Sequence, residues 1–512
     1  MTGRETFTHT STPQAHDPER AAGILLHPTS LPGSYGIGDL GDEAIAFLDW
    51  AASAGMKLWQ VLPLNPPGYG NSPYGCLSAF AGNPLLISPR RLQQEHLLPS
   101  YALTQIPHFD ADRVDFDSVT GFKTKLLRLS HEHFARQATV DQKRDFEAFL
   151  ASPDQTPWLD EYALYVSLKE QAGGKAWCDW PSAIATREKD ALQKAQQHLQ
   201  PEIRFHKYVQ FLFFRQWQQV REAAALRHIR IIGDVPIYVA CDSAEVWSHP
   251  ELFQLDESGH PTVVAGVPPD YFSATGQRWG NPLYRWDLMR DTGFAWWIAR
   301  IRANLRMSDI VRLDHFRGFA AYWEIPASET TAINGRWMPG PGRDLFDALR
   351  AALGELPLIA EDLGFITKEV HDLRSAAGLP GMKILQFGFA QIDNPHLPHR
   401  YEARTVAYTG THDNDTARGW FAAAGEQERQ LALSYLRCRP DEIESALIQA
   451  AYTSVAQTAI VPVQDILALG TEARMNRPGD SENNWAWRMR NGALRMADAE
   501  RLRRLAEITG RF

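Results

Sequence analysis

The chain has 512 residues, is 44% hydrophobic and 22% charged, and carries a net charge of −9 with 4 cysteines and 16 tryptophans. That composition excludes a disordered or fibrous chain, and the acidic balance argues against a nucleic-acid partner, which would need a basic face. The length equals two to four average domains, or one barrel of about 250 residues carrying insertions.

Residues 1–20 lack the apolar stretch of a secretory signal and are expected as a flexible polar leader. Apolar, strand-like runs then recur at 23–26, 57–62, 229–233, 310–313, 358–360, 382–385 and 405–408, each stopping at a polar or glycine-rich turn. Short apolar runs suit parallel strands covered on both faces. Helical periodicity lies between them, at 42–54 and 211–227. Strand and helix alternating about eight times predicts an α/β fold, as an open sheet or a closed barrel. Residues 89–202 are charged and helix-patterned, and are expected as a helical insertion. Residues 239–287 are dense in Pro, Gly and aromatics, and are expected as a long structured loop. Residues 498–512 fit an amphipathic helix.

No apolar run approaches the ~18 residues of a membrane span, so no membrane partner is expected. Cys76, Cys178, Cys241 and Cys438 are scattered, with no C-x-x-C or Cys/His ligand spacing, so no metal is expected. These features point to the cytoplasm. A monomer is expected, with a homo-oligomer left open.

Gly36-Ile37-Gly38-Asp39-Leu40-Gly41 matches the dinucleotide fingerprint. The second strand of that fold should end in an acid that holds the ribose. Here the run continues Leu62-Pro63-Leu64-Asn65, and His27 to Pro32 separate the glycines from the first strand. The match is therefore read as a turn and helix start, and no cofactor is expected.

The acids carry more information. The run 310–313 ends in Asp314-His315, the run 358–360 in Glu361-Asp362, and the run 405–408 leads through Thr409-Gly410-Thr411 to His412-Asp413; Asp234 follows Ile231-Ile232-Gly233. In a parallel barrel all strands open at their C-terminal ends onto one face, where active sites sit. One such acid is equally well a helix cap, but four in one chain predict a convergent carboxylate site. Arg312 and Asp314, two apart on a strand, point to the same side. A neighbouring Arg favours an ionised carboxylate, as a nucleophile requires; a purely structural ion pair is the alternative. Paired carboxylates with many aromatics suit glycosidic bond cleavage, one carboxyl acting on the anomeric carbon and one on the leaving oxygen. Trp59, Trp217, Trp296 and Trp297 are expected in the core, and Trp279, Trp420, Trp485 and Trp487 near the cleft.

At this point long motifs become recognisable: Ser72-Pro73-Tyr74, Ser78-Ala79-Phe80-Ala81-Gly82-Asn83-Pro84, Gly266-Val267-Pro268-Pro269-Asp270-Tyr271-Phe272, Arg278-Trp279-Gly280-Asn281-Pro282, Arg312-Leu313-Asp314-His315-Phe316-Arg317, Ala360-Glu361-Asp362-Leu363-Gly364 and Thr409-Gly410-Thr411-His412-Asp413-Asn414-Asp415. From about Gly23 to the end, the chain resembles the amylomaltases, 4-α-glucanotransferases of glycoside hydrolase family 77. The resemblance implies a (β/α)₈ barrel with inserted subdomains and a retaining transfer between α-1,4-glucans and malto-oligosaccharides. It implies Asp314 as nucleophile, Glu361 as general acid/base and Asp413 as transition-state stabiliser. Ser72, Tyr74, Asp234, Arg312, His315 and His412 are placed around the substrate, Asp270, Tyr271 and Phe272 on a loop over the cleft, Tyr69 at a remote glucan site and Asn476 on a cleft-side loop. Gln391-Ile392-Asp393 departs from the family pattern, which has an acid slightly earlier. A hydrolase using the same carboxylates, or a silent glucan-binding protein, are the competing readings.

Overall fold

The structure is a computed structural model that describes residues 20–269, 273–480 and 482–512. Its strands, in chain order, are β1 Ala21–Leu25, β2 Leu58–Gln60, β3 Arg230–Pro236, β4 Val263–Val267, β5 Gln277–Pro282, β6 Ile310–Asp314, β7 Ala321–Pro326, β8 Arg336–Pro339, β9 Leu358–Ala360, β10 Gly381–Ile384, β11 Thr405–Tyr408 and β12 Thr458–Pro462. Eight of them form one parallel sheet in the order β10-β11-β12-β1-β2-β3-β6-β9. The ends of that order meet where the Ala360 N–H donates to Pro380 O at 2.9 Å. The result is the (β/α)₈ barrel.

The apolar runs become strands because both of their faces are covered. Ile24, Trp59, Ile231, Val311, Ile359, Met382, Val406 and Ile460 are all buried, each contributing roughly 1.5–3 kcal/mol of apolar burial. β12 was not among the runs read from sequence. Only residues 454–457 separate it from the helix Ile443–Thr453, so its apolar residues merge with the helical pattern.

Residues 89–202 hold the helices Phe116–Gln137, Val140–Ala151, Leu159–Gln171 and Lys189–His198. The helix expected at 211–227 starts earlier, at Gln200, and runs to Leu226. Pro201 stands in its first turn, where a missing N–H costs nothing, and no breaker follows. Gln210 on this helix donates to Gly82 O at 2.9 Å and accepts from Gly82 N at 2.7 Å, tying the 78–84 motif to the barrel. Gly82 is glycine for a packing reason, since a Cβ there would sit 1.9 Å from the Phe213 ring.

The stretch expected as a long loop contains β4 and β5, which pair antiparallel. β7 and β8, from beyond β6, complete a four-stranded sheet in the order β5-β4-β7-β8. A sheet assembled across an intervening barrel strand leaves no contiguous alternation to read. The fingerprint-like glycines are also structural. A Cβ at Gly38 would lie 2.0 Å from Pro28 O, and Gly41 precedes the helix Asp42–Ser53. The C-terminal helix runs Met496–Ile508. Among the described residues no helix is long and apolar enough to cross a membrane.

Candidate active site

The strand register brings the acids to one rim. Asp234 pairs with Arg312 across β3 and β6, and Leu313 with Ala360 across β6 and β9. Asp314 and Glu361, each the next residue, therefore leave neighbouring strands at the same level. Buried Arg312 is the hub. Its Nη1 donates to Asp234 Oδ1 and Oδ2, both at 2.8 Å, and lies 2.9 Å from Asp314 Oδ1. Tyr74 Oη donates to Asp234 Oδ2 at 2.7 Å. One guanidinium shared by two carboxylates cannot neutralise both. Burial pushes Asp234 up to about 7, against the downward pull of Arg312 and with Asp314 adding to the rise.

Glu361 is held differently. Its Oε2 accepts from the His315 N–H at 2.6 Å and its Oε1 from the Leu363 N–H at 3.0 Å. His315 takes the left-handed conformation at φ 51°, an uncommon one for a non-glycine residue. Burial, then the charge of Asp314, raises the Glu361 carboxyl well above its ordinary range, against Arg312 and the two N–H groups. A carboxyl that keeps its proton toward neutral pH is equipped to be a general acid. The His315 ring stands edge-on to Trp279 at 4.7 Å, and burial lowers it to about 4, so it is neutral at neutral pH.

Asp413 forms the third wall. Asn476 Nδ2 donates to its Oδ1 at 2.6 Å, Arg474 Nη2 donates to its backbone O at 2.7 Å, and His412 Nε2 lies 3.4 Å from Oδ1. The His412 ring stacks on Tyr74 at 5.0 Å with 13° between planes, and Trp485 packs beside both. Asp234, Arg312, Asp314, Tyr74, His412, Asp413 and Asn476 are thus connected, and Glu361 with His315 adjoins them through β6 and β9.

Other expected residues stand apart. Ser72 Oγ accepts from Tyr74 N at 3.2 Å and so sets the turn rather than meeting the acids. Tyr69 is 92% exposed on the short turn Tyr69–Asn71. Asp270, Tyr271 and Phe272 lie outside the described residues. Trp59, Trp217 and Trp297 are buried, and Trp296 is half-buried. Trp420 packs on Phe389 and donates to Glu428. Asp362, next to Glu361, accepts from Met382 N at 2.7 Å and is a structural brace. Sequence reading passed over Arg474, although it sits in the Arg474-Met475-Asn476 run, because its contact is to a backbone oxygen 61 residues away.

Two groups of three potential metal donors exist among the described residues, Cys178/Asp179/His260 and Glu170/Glu202/His206. Neither includes a rim residue, and in the second Arg128 already pairs with both glutamates.

Residues 26–495 match the sequence profile of the glycoside hydrolase family 77 4-α-glucanotransferases. The chain belongs to that family. It is similar to the 4-α-glucanotransferase of Thermus thermophilus, 51% identical over 96% of this chain and 99% of that one, and to that of Synechocystis, 50% identical over 96% and 98%. A solved amylomaltase from Streptococcus agalactiae, in complex with acarbose, superposes with a TM-score of 0.93 at 40% identity, covering 96% of this chain and all of the other. The Corynebacterium glutamicum amylomaltase, 18% identical with a TM-score of 0.74, shares the fold over 97% of this chain and 76% of its own. As a 4-α-glucanotransferase the protein is a transglycosylase of α-1,4-glucans; the carboxylates alone pointed to glycosidic bond cleavage, and the family resemblance to transfer.

Proposed function

We propose that this 4-α-glucanotransferase works by retaining double displacement at the β6–β9 rim. Asp314 attacks C1 of an α-1,4-linked donor while Glu361 gives its proton to the leaving oxygen, so the C1–O bond breaks and a shortened glucan departs. The glucan segment is left esterified to Asp314. Glu361, now a base, takes the proton from the 4-hydroxyl of an acceptor sugar, and that oxygen displaces Asp314 from C1. Asp413, Arg312, Asp234, Tyr74 and His412 hold the donor ring.

The observation that carries this reading is the level exit of Asp314 and Glu361 from paired strands. Retention requires the two carboxyl groups to stand about 5–5.5 Å apart, and adjacent exits from paired strands put both side chains on one stretch of rim. The raised Glu361 carboxyl supports the acid role. The four cysteines are free, which supports a reducing, cytoplasmic setting. Residues 89–202 and 239–287 are read as elaborations of one catalytic barrel.

Incubation with maltotriose tests the reading. Glucose together with a ladder of longer oligosaccharides is expected, and Asp314→Ala should abolish it. Only shorter products would mean a hydrolase, and unchanged maltotriose a binding protein.

A further inference from the structure

Asp413 stands in the middle of a loop, and both ends of that loop are held by one buried carboxylate that the mechanism does not use. Residues 409–416 join β11 to the helix Ala417–Ala423 and carry His412 and Asp413. Asp465 lies at the exit of the neighbouring strand β12, on the short helix Val463–Ile466, and is 2% exposed. At the start of the loop Thr409 Oγ1 donates to Asp465 Oδ2 at 2.6 Å. Just past its end the Ala417 N–H donates to Asp465 Oδ1 at 2.7 Å. The two oxygens of one side chain thus fix where the loop leaves the barrel and where it enters the helix.

Packing alone does not hold the loop. Thr411, His412, Asn414, Asp415 and Thr416 border a cavity of about 30 Å³ that Asp465 also lines. Atoms facing a void lose contact partners on that side, so hydrogen bonds must set the position of the backbone. Gln386 Nε2 donates to Asp415 O and Thr471 Oγ1 to Asp415 Oδ2, both at 2.9 Å, but these grip the loop inside rather than at its ends. Asp465 also forms no ion pair with a Lys or Arg among the described residues. A buried carboxylate without a cation is costly, and an apolar residue would fill the space at less cost if packing were the only demand. Two charge-assisted hydrogen bonds to the ends of a catalytic loop give the acid a reason to be there.

We propose that Asp465 is a positioning residue for glucan transfer, clamping Thr409 and Ala417 so that the loop between them presents Asp413 to the donor sugar. The inference rests on the reading of Asp413 as a working acid. Asp465 itself touches no reacting atom.

Initial rates test it, with maltotriosyl α-fluoride as donor so that weak variants stay measurable. Asp465→Ala removes both acceptors and should lower kcat about 10–100-fold, since a shift of about 1 Å at a working group costs up to about 10²-fold, with KM within about threefold. Asp465→Asn can still accept from Ala417 through Oδ1 and donate to the Thr409 hydroxyl through Nδ2, so it should recover most of that loss. If Asp465→Ala does not fold, Thr409→Val against Thr409→Ser makes the same comparison at the other side of the clamp. A double-mutant cycle excludes a general loss of stability. Once Asp413→Asn has disabled the acid, Asp465→Ala should cost at most about threefold more, because residues acting through one group are not additive. A full 10–100-fold loss in that background overturns the proposal, as does wild-type kcat in Asp465→Ala or a loss that Asp465→Asn leaves unrelieved. Asp413→Asn alone separates the two levels. If it keeps the wild-type rate, the reading of Asp413 fails; if it is impaired while Asp465→Ala matches wild type, only the clamp fails.

Discussion

Two buried arginines mark opposite ends of the barrel. Arg312, at the C-terminal rim, directs its Nη1 at the carboxylates of Asp234 and Asp314. Arg511, at the other end, is 0% exposed, and its guanidinium donates to backbone oxygens, among them Tyr452 O at 2.8 Å, Ala456 O at 2.7 Å and Gln457 O at 2.9 Å. Burial is common to both, yet the outcomes are opposite. Asp234 and Asp314 raise Arg312 well above its ordinary range against the effect of burial, whereas burial and the charge of Arg20 lower Arg511 to about 10, and it remains charged at neutral pH. On the proposed mechanism the first arginine organises charge for chemistry; the second satisfies the loose carbonyls where β1 and β12 begin. The C-terminal face of a barrel carries activity and its N-terminal face stability.

The sharpest break of this comparison comes from the rim itself. Asp314→Asn should cost roughly 10⁴-fold or more in transfer rate, as removal of a nucleophile does, with Tm nearly unchanged; substantial residual activity would remove Asp314 from its role. Arg312→Met should lower kcat/KM by about 10²–10³-fold and also destabilise, since Asp234 would be left buried and unpaired. Arg511→Met should only destabilise, by about 3 kcal/mol, while kcat at a permissive temperature stays unchanged. Thermal melts and initial rates on the two variants check the pair together. If both lost activity equally, the division of labour would be wrong.

pH separates the two ends as well. In the proposed mechanism the first half-reaction needs Glu361 protonated, and its carboxyl is raised, so kcat/KM should fall as pH rises through a value well above the ordinary carboxyl range. Glu361→Gln should abolish that limb along with most activity, and Arg511→Met should leave it in place. Smaller effects sharpen the rim. Asn476→Ala removes the 2.6 Å bond to Asp413 and should cost about tenfold in kcat/KM, or about 1.4 kcal/mol.

How much of this could be read from residues follows from the range of each interaction. An acid placed after an apolar run is a local signal, and Asp234, Asp314, Glu361 and Asp413 were found that way. Arg312 and Asp314 share a face because strands alternate, which is again local. Arg511 gave no such signal, because its partners are carbonyls that every residue carries. β7 and β8 escaped notice because their partner β4 lies on the far side of β6 in the chain.

The covalent step can be observed directly. Glu361→Gln, given a maltotriosyl α-fluoride blocked at its terminal 4-hydroxyl, can form the ester without an acid, since fluoride leaves unprotonated, but lacks the base to discharge it. Mass spectrometry of the digested protein should then find one trisaccharide unit on the peptide containing Asp314 and none elsewhere. An adduct on Asp413 or Asp234, or none while fluoride is released in a burst, would contradict the assignment of Asp314 as the nucleophile.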